Sequence, residues 1–336
     1  MSLSHLSLSV IVPARNAGTT LERALSVWER PGQRDHELIV VDDASTDGTA
    51  AVAARYADRV LKLAVHRGPA AARNTGARAS RGDILLFVDA DVRVTSRIAD
   101  LVGQAFREDP GLDAVFGSYD DRPTERNFLS QFKNLLHHFV HQNADEEAGT
   151  FWAGCGAVRK AVFLEAGGFS EAYALPSIED VEFGYRLKRL GKTIRLLKDL
   201  QVTHLKRWTF AGLLRSDIVG RAIPWTKLAC EHGLPRDLNF RLSDRWSAFL
   251  VWLLPLSLAA GARRPPWVIL AAGAAILLLL INRPLYRFFL KKRSLCFAAR
   301  AILWHWLYLL YASAVFILWA PACLVKRILG RRSAGG

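Results

Sequence analysis

Hydrophobic and polar residues alternate in blocks along the first ninety residues. Short, mainly apolar runs that predict strands lie at 8–12, 37–41 and 84–88. The segments between them have helical spacing and lie at 17–29, 47–56 and 69–80. Continuous apolar strands that alternate with helices are typical of a parallel sheet covered on both faces. The pattern therefore predicts an α/β fold.

Polar clusters follow directly after these three strands. They read PARN (13–16), DDASTDGT (42–49) and DAD (89–91). In a parallel sheet the carboxyl ends of the strands meet at one edge, and ligands bind in the crevice beyond it. We therefore expect the three clusters to converge on a single site.

The next hundred residues continue the pattern with weaker signals. A strand is predicted at 112–118, and helices are predicted at 125–142 and 178–190. Between these helices lies a glycine-rich stretch, 152–169, where the backbone is able to approach a ligand closely. We interpret it either as a wall of an acceptor pocket or as a plain turn.

The composition changes sharply at Ser247. Three apolar runs follow, at 247–262, 267–281 and 301–325, and the first two are shorter than the ~20 residues that span a bilayer. A pair of buried core helices is the alternative for those two runs. The lack of acidic residues and the Trp and Arg residues at the run ends favour membrane helices.

These changes in composition predict the domain boundaries. We expect a catalytic domain over 1–240, a membrane region of two or three apolar helices over 245–325, and a basic tail over 326–336. Within the first domain, 206–230 mixes basic, aromatic and aliphatic residues. This segment is predicted to form either interfacial helices on the membrane or ordinary surface helices.

The formal net charge of +14 is concentrated in the C-terminal third. All 31 acidic residues precede Ser247, whereas 12 of the 45 Lys and Arg residues follow it. Basic residues beside apolar segments indicate a membrane surface as the partner and not nucleic acid, whose binding motifs are absent.

The basic segment 282–294 is predicted to face the cytosol, together with the catalytic domain. A third span would place the basic tail outside, so the third run is either re-entrant or interfacial, or it breaks the positive-inside rule.

Two pairs of aspartates at the strand ends are candidates for chemistry. Asp89 and Asp91 follow a buried strand and suit a hard divalent cation that bridges phosphate oxygens. Asp42 and Asp43 follow another strand, and one carboxylate is able to accept a hydrogen bond from a nucleobase. The structural alternative at this second pair is a helix N-cap, a role that Ser45 or the following threonine would fill.

Further acidic and histidine side chains have weaker signals. Glu179 and Asp180 begin a predicted helix, where acids either stabilise the helix dipole or serve as a general base. His137, His138 and His141 have helical spacing, but no acid completes a known metal-binding pattern with them.

Together these segments resemble the family 2 glycosyltransferases, which have the GT-A fold. In the family's order they are SVIVPARNA (9–17), ELIVVDDASTDGT (37–49), RGPAAARNTGARASRGDILLFVDADV (67–92), GCGAVRKAVFLEAGGFSE (154–171) and IEDVEFGYRLKRLG (178–191). The resemblance implies a mostly parallel central sheet, followed here by C-terminal transmembrane helices. It also implies a nucleotide-diphosphate sugar as donor and a divalent cation, Mn or Mg, as cofactor.

The resemblance also implies roles for matching residues on the donor side. The implied contacts to the nucleotide are Pro13, Arg15, Asp42, Asp43, Arg73 and Asp89. Among them, Asp43 would recognise the nucleobase through a hydrogen bond, Arg73 would lie near the base and phosphates, and Asp89 would lie near the ribose.

The remaining implied roles concern the metal and the acceptor. Asp91 coordinates the cation beside Asp89, and a histidine downstream often completes the site, for which His204 is the candidate. The general base comes from the acidic pair, with Asp180 preferred over Glu179.

The expected reaction is inverting transfer of one sugar. The predicted membrane region, and not the resemblance, suggests a membrane-associated acceptor, such as a polyprenyl phosphate, a glycolipid or a cell-envelope glycan. Processive polysaccharide synthases of this superfamily carry QxxRW, whereas Arg207 and Trp208 follow Gln201 at a different spacing. This difference favours single transfer over a processive synthase. The other alternative is a non-catalytic membrane protein that binds sugar nucleotides, and the complete set of acids argues against it.

Overall fold

A computed structural model describes residues 6–28, 31, 35–173, 175–232, 242–262 and 264–333, with the side chains of 231, 232, 322 and 324–333 excepted. The chain divides into two compact units, Met1–Thr209 and Phe210–Gly336. The predicted end of the catalytic domain at 240 lies outside the described residues. The same holds for the side chains of the predicted basic tail.

The first unit is built on one mixed sheet. Its strands are β1 (Leu8–Ala14), β2 (Glu37–Asp42), β3 (Arg59–Lys62), β4 (Ile84–Val88), β5 (Val92–Arg93), β6 (Ala114–Tyr119), β7 (Cys155–Arg159) and β8 (Ile194–His204). Their order is β3-β2-β1-β4-β7-β6-β8-β5. Strands β5 and β7 run antiparallel to their neighbours, and the other pairings are parallel. The predicted α/β fold with a mostly parallel sheet is confirmed.

Helices cover both faces of this sheet. They are α1 (Gly18–Leu25), α2 (Thr49–Tyr56), α3 (Pro69–Ala79), α4 (Ile98–Glu108), α5 (Phe128–Gln142), α6 (Lys160–Glu165) and α7 (Glu179–Arg189). The five helices predicted in this unit are present as α1, α2, α3, α5 and α7. The glycine-rich stretch is not a plain turn, because most of it forms β7 and α6. Its interpretation as a wall of an acceptor pocket stays a prediction. A Cβ on Gly156 would lie 2.4 Å from the Trp152 carbonyl oxygen, so close packing explains the glycine there.

Alternate residues of β1 serve the two faces of the sheet. Val10 and Val12 join a core cluster with side chains of α1, α2 and α4. Ile11 faces α3, which lies so close that a Cβ on Gly76 would be 2.5 Å from the Ile11 Cγ2. Further along this second face, the rings of Phe87, Phe163, Phe169 and Phe183 contact one another at centroid distances of 4.9 to 5.3 Å. This packing fixes α3 and α7 relative to the strand ends.

The second unit is helical. Its helices are α8 (Phe210–Asp217), α9 (Ile223–His232), α10 (Leu242–Gly261), α11 (Pro266–Ile281), α12 (Arg283–Lys292) and α13 (Leu295–Ser333), and a π-helical turn, Ile218–Ala222, joins α8 to α9. The segment 206–230 is therefore largely helical, as predicted. Its helix α9 packs on α13, and Leu213 and Leu228 are buried.

Helix α13 contains the strongest candidate membrane span. Among the described residues, Leu295–Pro321 is the one helix that is long and apolar enough to cross a bilayer, and its most apolar 18 residues have a mean hydropathy of 1.8. Helices α11 and α12 meet that criterion only together, and they are bent by 65°. The first two runs were expected to span and the third was left open, whereas it is the third run that lies in the helix that qualifies on its own. The reason is continuity, since the α11 run stops at Asn282, whereas α13 continues unbroken through the third run.

Candidate active site

The loops after β1 and β2 are joined into one structure. Strand β1 pairs in parallel with both β2 and β4, so their carboxyl ends lie side by side. The Asn16 N–H donates to the Ser45 Oγ at 3.0 Å, and the Asn16 Oδ1 accepts the Thr46 N–H at 2.8 Å. Ser45 thus binds the first loop, and the N-cap of α2 is Gly48, so the expectation of a serine or threonine cap was wrong.

Pro13 and Arg15 lie at the start of this joined loop structure. Pro13 is half-buried at the end of β1, opposite Val41 of β2. Arg15 follows β1 and is exposed. Of the two, Arg15 is the side chain with freedom to reach a bound nucleotide.

Asp43 is buried and organises the turn that precedes α3. Its Oδ1 accepts the Arg67 N–H at 2.8 Å, and its Oδ2 accepts the Gly68 N–H at 2.9 Å. The same Oδ2 lies 2.7 Å from the His66 Nδ1. Asp43 therefore has a structural role whether or not it also contacts a base.

Only one carboxylate oxygen of Asp42 accepts a hydrogen bond from the described residues. Its Oδ1 accepts the Ser45 N–H at 3.0 Å. Its Oδ2 has no hydrogen-bond partner within the described part of the chain. Of the four oxygens in the aspartate pair, this one is the most available to a ligand.

Arg73 connects two acidic segments that are far apart in the sequence. One guanidinium nitrogen donates to the Asp89 Oδ1 at 2.6 Å, and another donates to the Glu179 Oε1 at 2.8 Å. Burial works to lower the pKa of Arg73, but the negative charges of Asp89 and Glu179 outweigh it and raise this pKa. The segment after β4 and the start of α7 are thus both held by the buried guanidinium of Arg73.

Glu179 and Asp180 occupy different environments although they are adjacent. Glu179 is 4% exposed, and its second oxygen accepts the Ser177 N–H at 2.9 Å. Asp180 is half-buried, and its Oδ2 accepts the Ala153 N–H at 3.0 Å. Glu179 is therefore committed to Arg73, whereas Asp180 has a surface that a substrate is able to reach.

Asp91 lies beside His204 and Lys206. Pairing of β5 with β8 places Val92 opposite His204, and the Leu205 N–H donates to the Asp91 carbonyl at 2.8 Å. The Asp91 Oδ2 is 3.7 Å from the His204 Nε2 and 4.0 Å from the Lys206 Nζ. The antiparallel edge of the sheet thus supplies the histidine that the family resemblance implied.

The two aspartates of the DAD segment have opposite pKa shifts. Burial would raise the pKa of Asp91, but His204 and Lys206 outweigh it and lower this pKa to about 2. Burial and the charge of Asp91 raise the pKa of Asp89, although Arg73 opposes that shift. Asp91 is therefore ionised at neutral pH, which is the state that metal coordination requires.

The donor set around Asp91 fits a hard cation that shares its coordination with a substrate. Within the described residues no three His, Cys, Asp or Glu side chains are gathered into a metal cluster. Mg²⁺ is commonly held by one or two carboxylates together with substrate phosphates. Two ligands at about 2.1 Å from a shared cation stand roughly 3 to 4 Å apart. The Asp91–His204 separation of 3.7 Å lies in that range.

Aromatic side chains beside His204 were not predicted. The Tyr119 ring stacks on His204 at a centroid distance of 4.3 Å, and Trp152 contacts Tyr119 at 4.9 Å. Tyr119 ends β6, so the strand-end rule that selected Asp89 would also have selected it. Lys206 and Trp152 carried no comparable signal.

The three histidines of α5 serve packing. The Nδ1 atoms of His138 and His141 lie 2.7 and 3.1 Å from the carbonyl oxygens of Tyr119 and Gly117. His137 lies against the ring of Tyr119 at a centroid distance of 4.5 Å. These contacts give the histidines a structural role beside the site.

Comparison with known proteins identifies the family of this chain. The model of the family described as "Glycosyl transferase family 2" matches residues 9–167. An uncharacterised protein of Mycobacterium tuberculosis is 31% identical in an alignment of 275 positions that covers 75% of this chain and 82% of that protein. The chain belongs to glycosyl transferase family 2. A dolichyl-phosphate beta-glucosyltransferase of Dictyostelium discoideum is 26% identical to this glycosyltransferase over 255 residues, covering 67% and 68% of the two chains.

A solved structure also resembles the glycosyltransferase. It is a mannosyltransferase from Pyrobaculum calidifontis in complex with GDP-Man and Mn²⁺, with a TM-score of 0.48 and 19% sequence identity. The match covers 98% of this chain and 88% of the mannosyltransferase.

Proposed function

We propose that the enzyme transfers a single sugar, with inversion, from a nucleotide-diphosphate sugar to a membrane-associated acceptor. A polyprenyl phosphate, a glycolipid or a cell-envelope glycan would each fit that description. The observation that carries the proposal is the position of Arg73 between Asp89 and Glu179. It brings the candidate donor segment and the candidate base, Asp180, to one sheet edge.

In the proposed reaction Asp180 acts as the general base. It takes the proton from an acceptor hydroxyl while the hydroxyl oxygen attacks the anomeric carbon. The bond from that carbon to the diphosphate oxygen breaks, and the nucleoside diphosphate departs. Attack opposite the leaving group inverts the anomeric configuration, so no second carboxylate is needed as a nucleophile.

The proposed cofactor is a divalent cation, Mn or Mg. Asp91 and His204 would hold it, with Asp89 beside them. When bound, such a cation supplies positive charge that offsets the negative charge on the leaving diphosphate. Arg73 would keep Asp89 oriented through the hydrogen bond that it donates to the Asp89 Oδ1 at 2.6 Å.

The proposed location is a membrane, with the catalytic unit on the cytosolic side. The support is the apolar length of α13 and the 12 basic residues, without any acid, from Ser247 onward. Basic residues beside apolar helices are retained on the cytosolic face.

A hydrolysis screen of the full-length chain tests the proposed chemistry. The purified enzyme would be incubated with a panel of UDP-, GDP- and dTDP-sugars, with Mn²⁺ or Mg²⁺. We expect slow, metal-dependent release of the nucleoside diphosphate from one donor class, lost in Asp91→Asn and retained in the matched control Asp100→Asn, which alters an exposed acid of α4. Turnover of no sugar nucleotide would contradict the proposal. Products with more than one added sugar, once an acceptor is supplied, would contradict single transfer.

A further inference from the structure

Helix α12 has two chemically different faces. Leu285, Tyr286 and Phe289 are buried, and Phe289 has no exposed surface. The opposite face exposes Arg283, Arg287 and Lys291, and Lys292 is exposed at the C-terminal end of the helix. The helix is thus amphipathic, with basic residues on the polar side.

The apolar face of α12 is already covered by α13. The Tyr286 hydroxyl lies 2.9 Å from the His305 Nδ1 and accepts a hydrogen bond from the Trp306 Nε1 at 3.0 Å. Phe289 contacts the Phe297 ring at a centroid distance of 6.0 Å. These contacts fix which face of α12 points outward, and that face carries the cations.

The bend before α12 separates an apolar helix from a charged one. Helix α11 contains no charged residue, and the two helices are bent by 65° at Asn282. If α12 completed a span begun by α11, its outward cations would enter hydrocarbon, where charged side chains are strongly disfavoured. A helix turned along the membrane surface keeps those cations in water and among headgroups.

We propose that α12 lies in the plane of the membrane interface and that its outward face binds anionic lipid headgroups. Charge complementarity selects this partner, because residues 247–336 contain no acid that would neutralise the face. The proposal therefore excludes the alternative in which α11 and α12 together form one bent membrane span. It rests on the proposed membrane location and is independent of the proposed sugar transfer.

Lipid selectivity in a reconstituted bilayer tests this proposal. The full-length chain would be placed in nanodiscs of phosphatidylcholine with one-fifth phosphatidylglycerol. Spin-labelled forms of the two lipids would report the fraction held at the protein surface. We expect selectivity for phosphatidylglycerol that falls by roughly fivefold for each α12 charge removed, in Arg287→Gln and in Arg287→Gln/Lys291→Gln. High salt should weaken it similarly.

A matched double variant controls for total charge. Arg23→Gln/Arg107→Gln removes two exposed cations from α1 and α4 of the first unit, and its lipid selectivity should equal that of the parent chain. Equal retention of both lipids by the parent, or unchanged selectivity in the α12 variants, would overturn the proposal for α12. A chain that does not enter bilayers at all would overturn the membrane location itself. Sugar-nucleotide hydrolysis, measured on the same samples, would remain a separate result.

Discussion

The His204 Nε2 lies 3.7 Å from the Asp91 Oδ2, which is beyond a good hydrogen bond and within the spacing of two ligands that share a cation. The two residues are 113 positions apart, and the pairing of β5 with β8 brings them together. Tyr119 stacks on the imidazole and limits its rotation. The site is therefore preorganised on one side, while a diphosphate would complete it on the other.

Removal of either proposed ligand, Asp91 or His204, should weaken metal binding in the presence of nucleotide. In Asp91→Asn and His204→Ala we expect the affinity for Mn²⁺, measured with UDP or GDP present, to fall at least ~10-fold, since each substitution removes a ligand. Electron paramagnetic resonance of free Mn²⁺ measures this directly. Asp100→Asn should bind as the parent chain does. Parent-like Mn²⁺ affinity in both site variants, or full hydrolysis with a chelator present, would exclude the metal role.

Substitution of the two adjacent acids of α7 should give different defects. Asp180→Asn should lower turnover by at least ~100-fold and leave donor binding and thermal stability nearly unchanged, because it removes only a proton acceptor. Glu179→Gln should destabilise the first unit by roughly 3–5 kcal/mol, because buried Arg73 loses a charged partner.

Turnover, calorimetric donor binding and thermal unfolding, measured on both variants, separate these effects. Each variant is the other's control, since the substitutions are isosteric and one residue apart. Parent-like turnover in Asp180→Asn would remove Asp180 from the mechanism. Parent-like melting in Glu179→Gln would mean that Arg73 does not depend on Glu179.

Local patterns predicted the strand ends but not the partners that meet there. The run before Asp89 is apolar throughout, and the run before the Asp42–Asp43 pair is apolar after Glu37. The strands β2 and β4, and the sheet edge where they end, were therefore predictable from the sequence pattern. Strand β8 alternates buried and partly exposed residues at the side of the sheet and is irregular beside β6, so it lacks such a run. Consequently the Asp91–His204 contact rested on family resemblance alone.

The sequence also did not predict which distant residues pair with each other, or where the helices of the second unit begin and end. Arg73 and Glu179 are 106 positions apart, and nothing in either segment specifies the other as its partner. In the second unit, hydropathy located the apolar runs, but it did not reveal that α11 stops at Asn282 or that α13 is continuous. Those features depend on tertiary packing, such as the contact of Tyr286 with His305.

Truncation should show that α8 and α9 belong with the second unit. A chain that ends at Thr209 should be recovered in the soluble fraction, because it retains the first compact unit whole. A chain that ends at His232 keeps α8 and α9 but lacks α13, on which α9 packs, so the surface of α9 that α13 covers becomes exposed. We expect that longer fragment to bind membranes or aggregate, since it presents an uncovered apolar surface.

Fractionation before and after a carbonate wash measures this difference. The full-length chain should resist extraction from the membrane. Recovery of the shorter fragment with the membranes would show that the first unit has an anchor of its own. Full solubility of the longer fragment would contradict the assignment of α8 and α9.

Close packing at Gly184 controls where α7 presents Asp180. A Cβ at Gly184 would lie 2.4 Å from the Phe151 nitrogen and 2.6 Å from the Thr150 carbonyl carbon, both of them backbone atoms. The same segment supplies the Ala153 N–H that Asp180 accepts. Gly184→Ala should therefore push α7 away from this segment, at a cost of ~1–3 kcal/mol, and displace Asp180 with it.

Gly103 of α4 provides the matched control for that substitution. A Cβ there would meet only the end of the flexible Arg107 side chain, at 2.9 Å, and alanine improves helix propensity by ~0.5–1 kcal/mol. We expect Gly184→Ala to lower the melting temperature by roughly 3–10 °C and to reduce turnover even well below that melting point, because Asp180 is misplaced. Gly103→Ala should melt at or above the parent temperature with unchanged turnover. A Gly184→Ala enzyme that melts early yet keeps its full rate at low temperature would separate the packing of α7 from the placement of Asp180 and contradict the coupling inferred here.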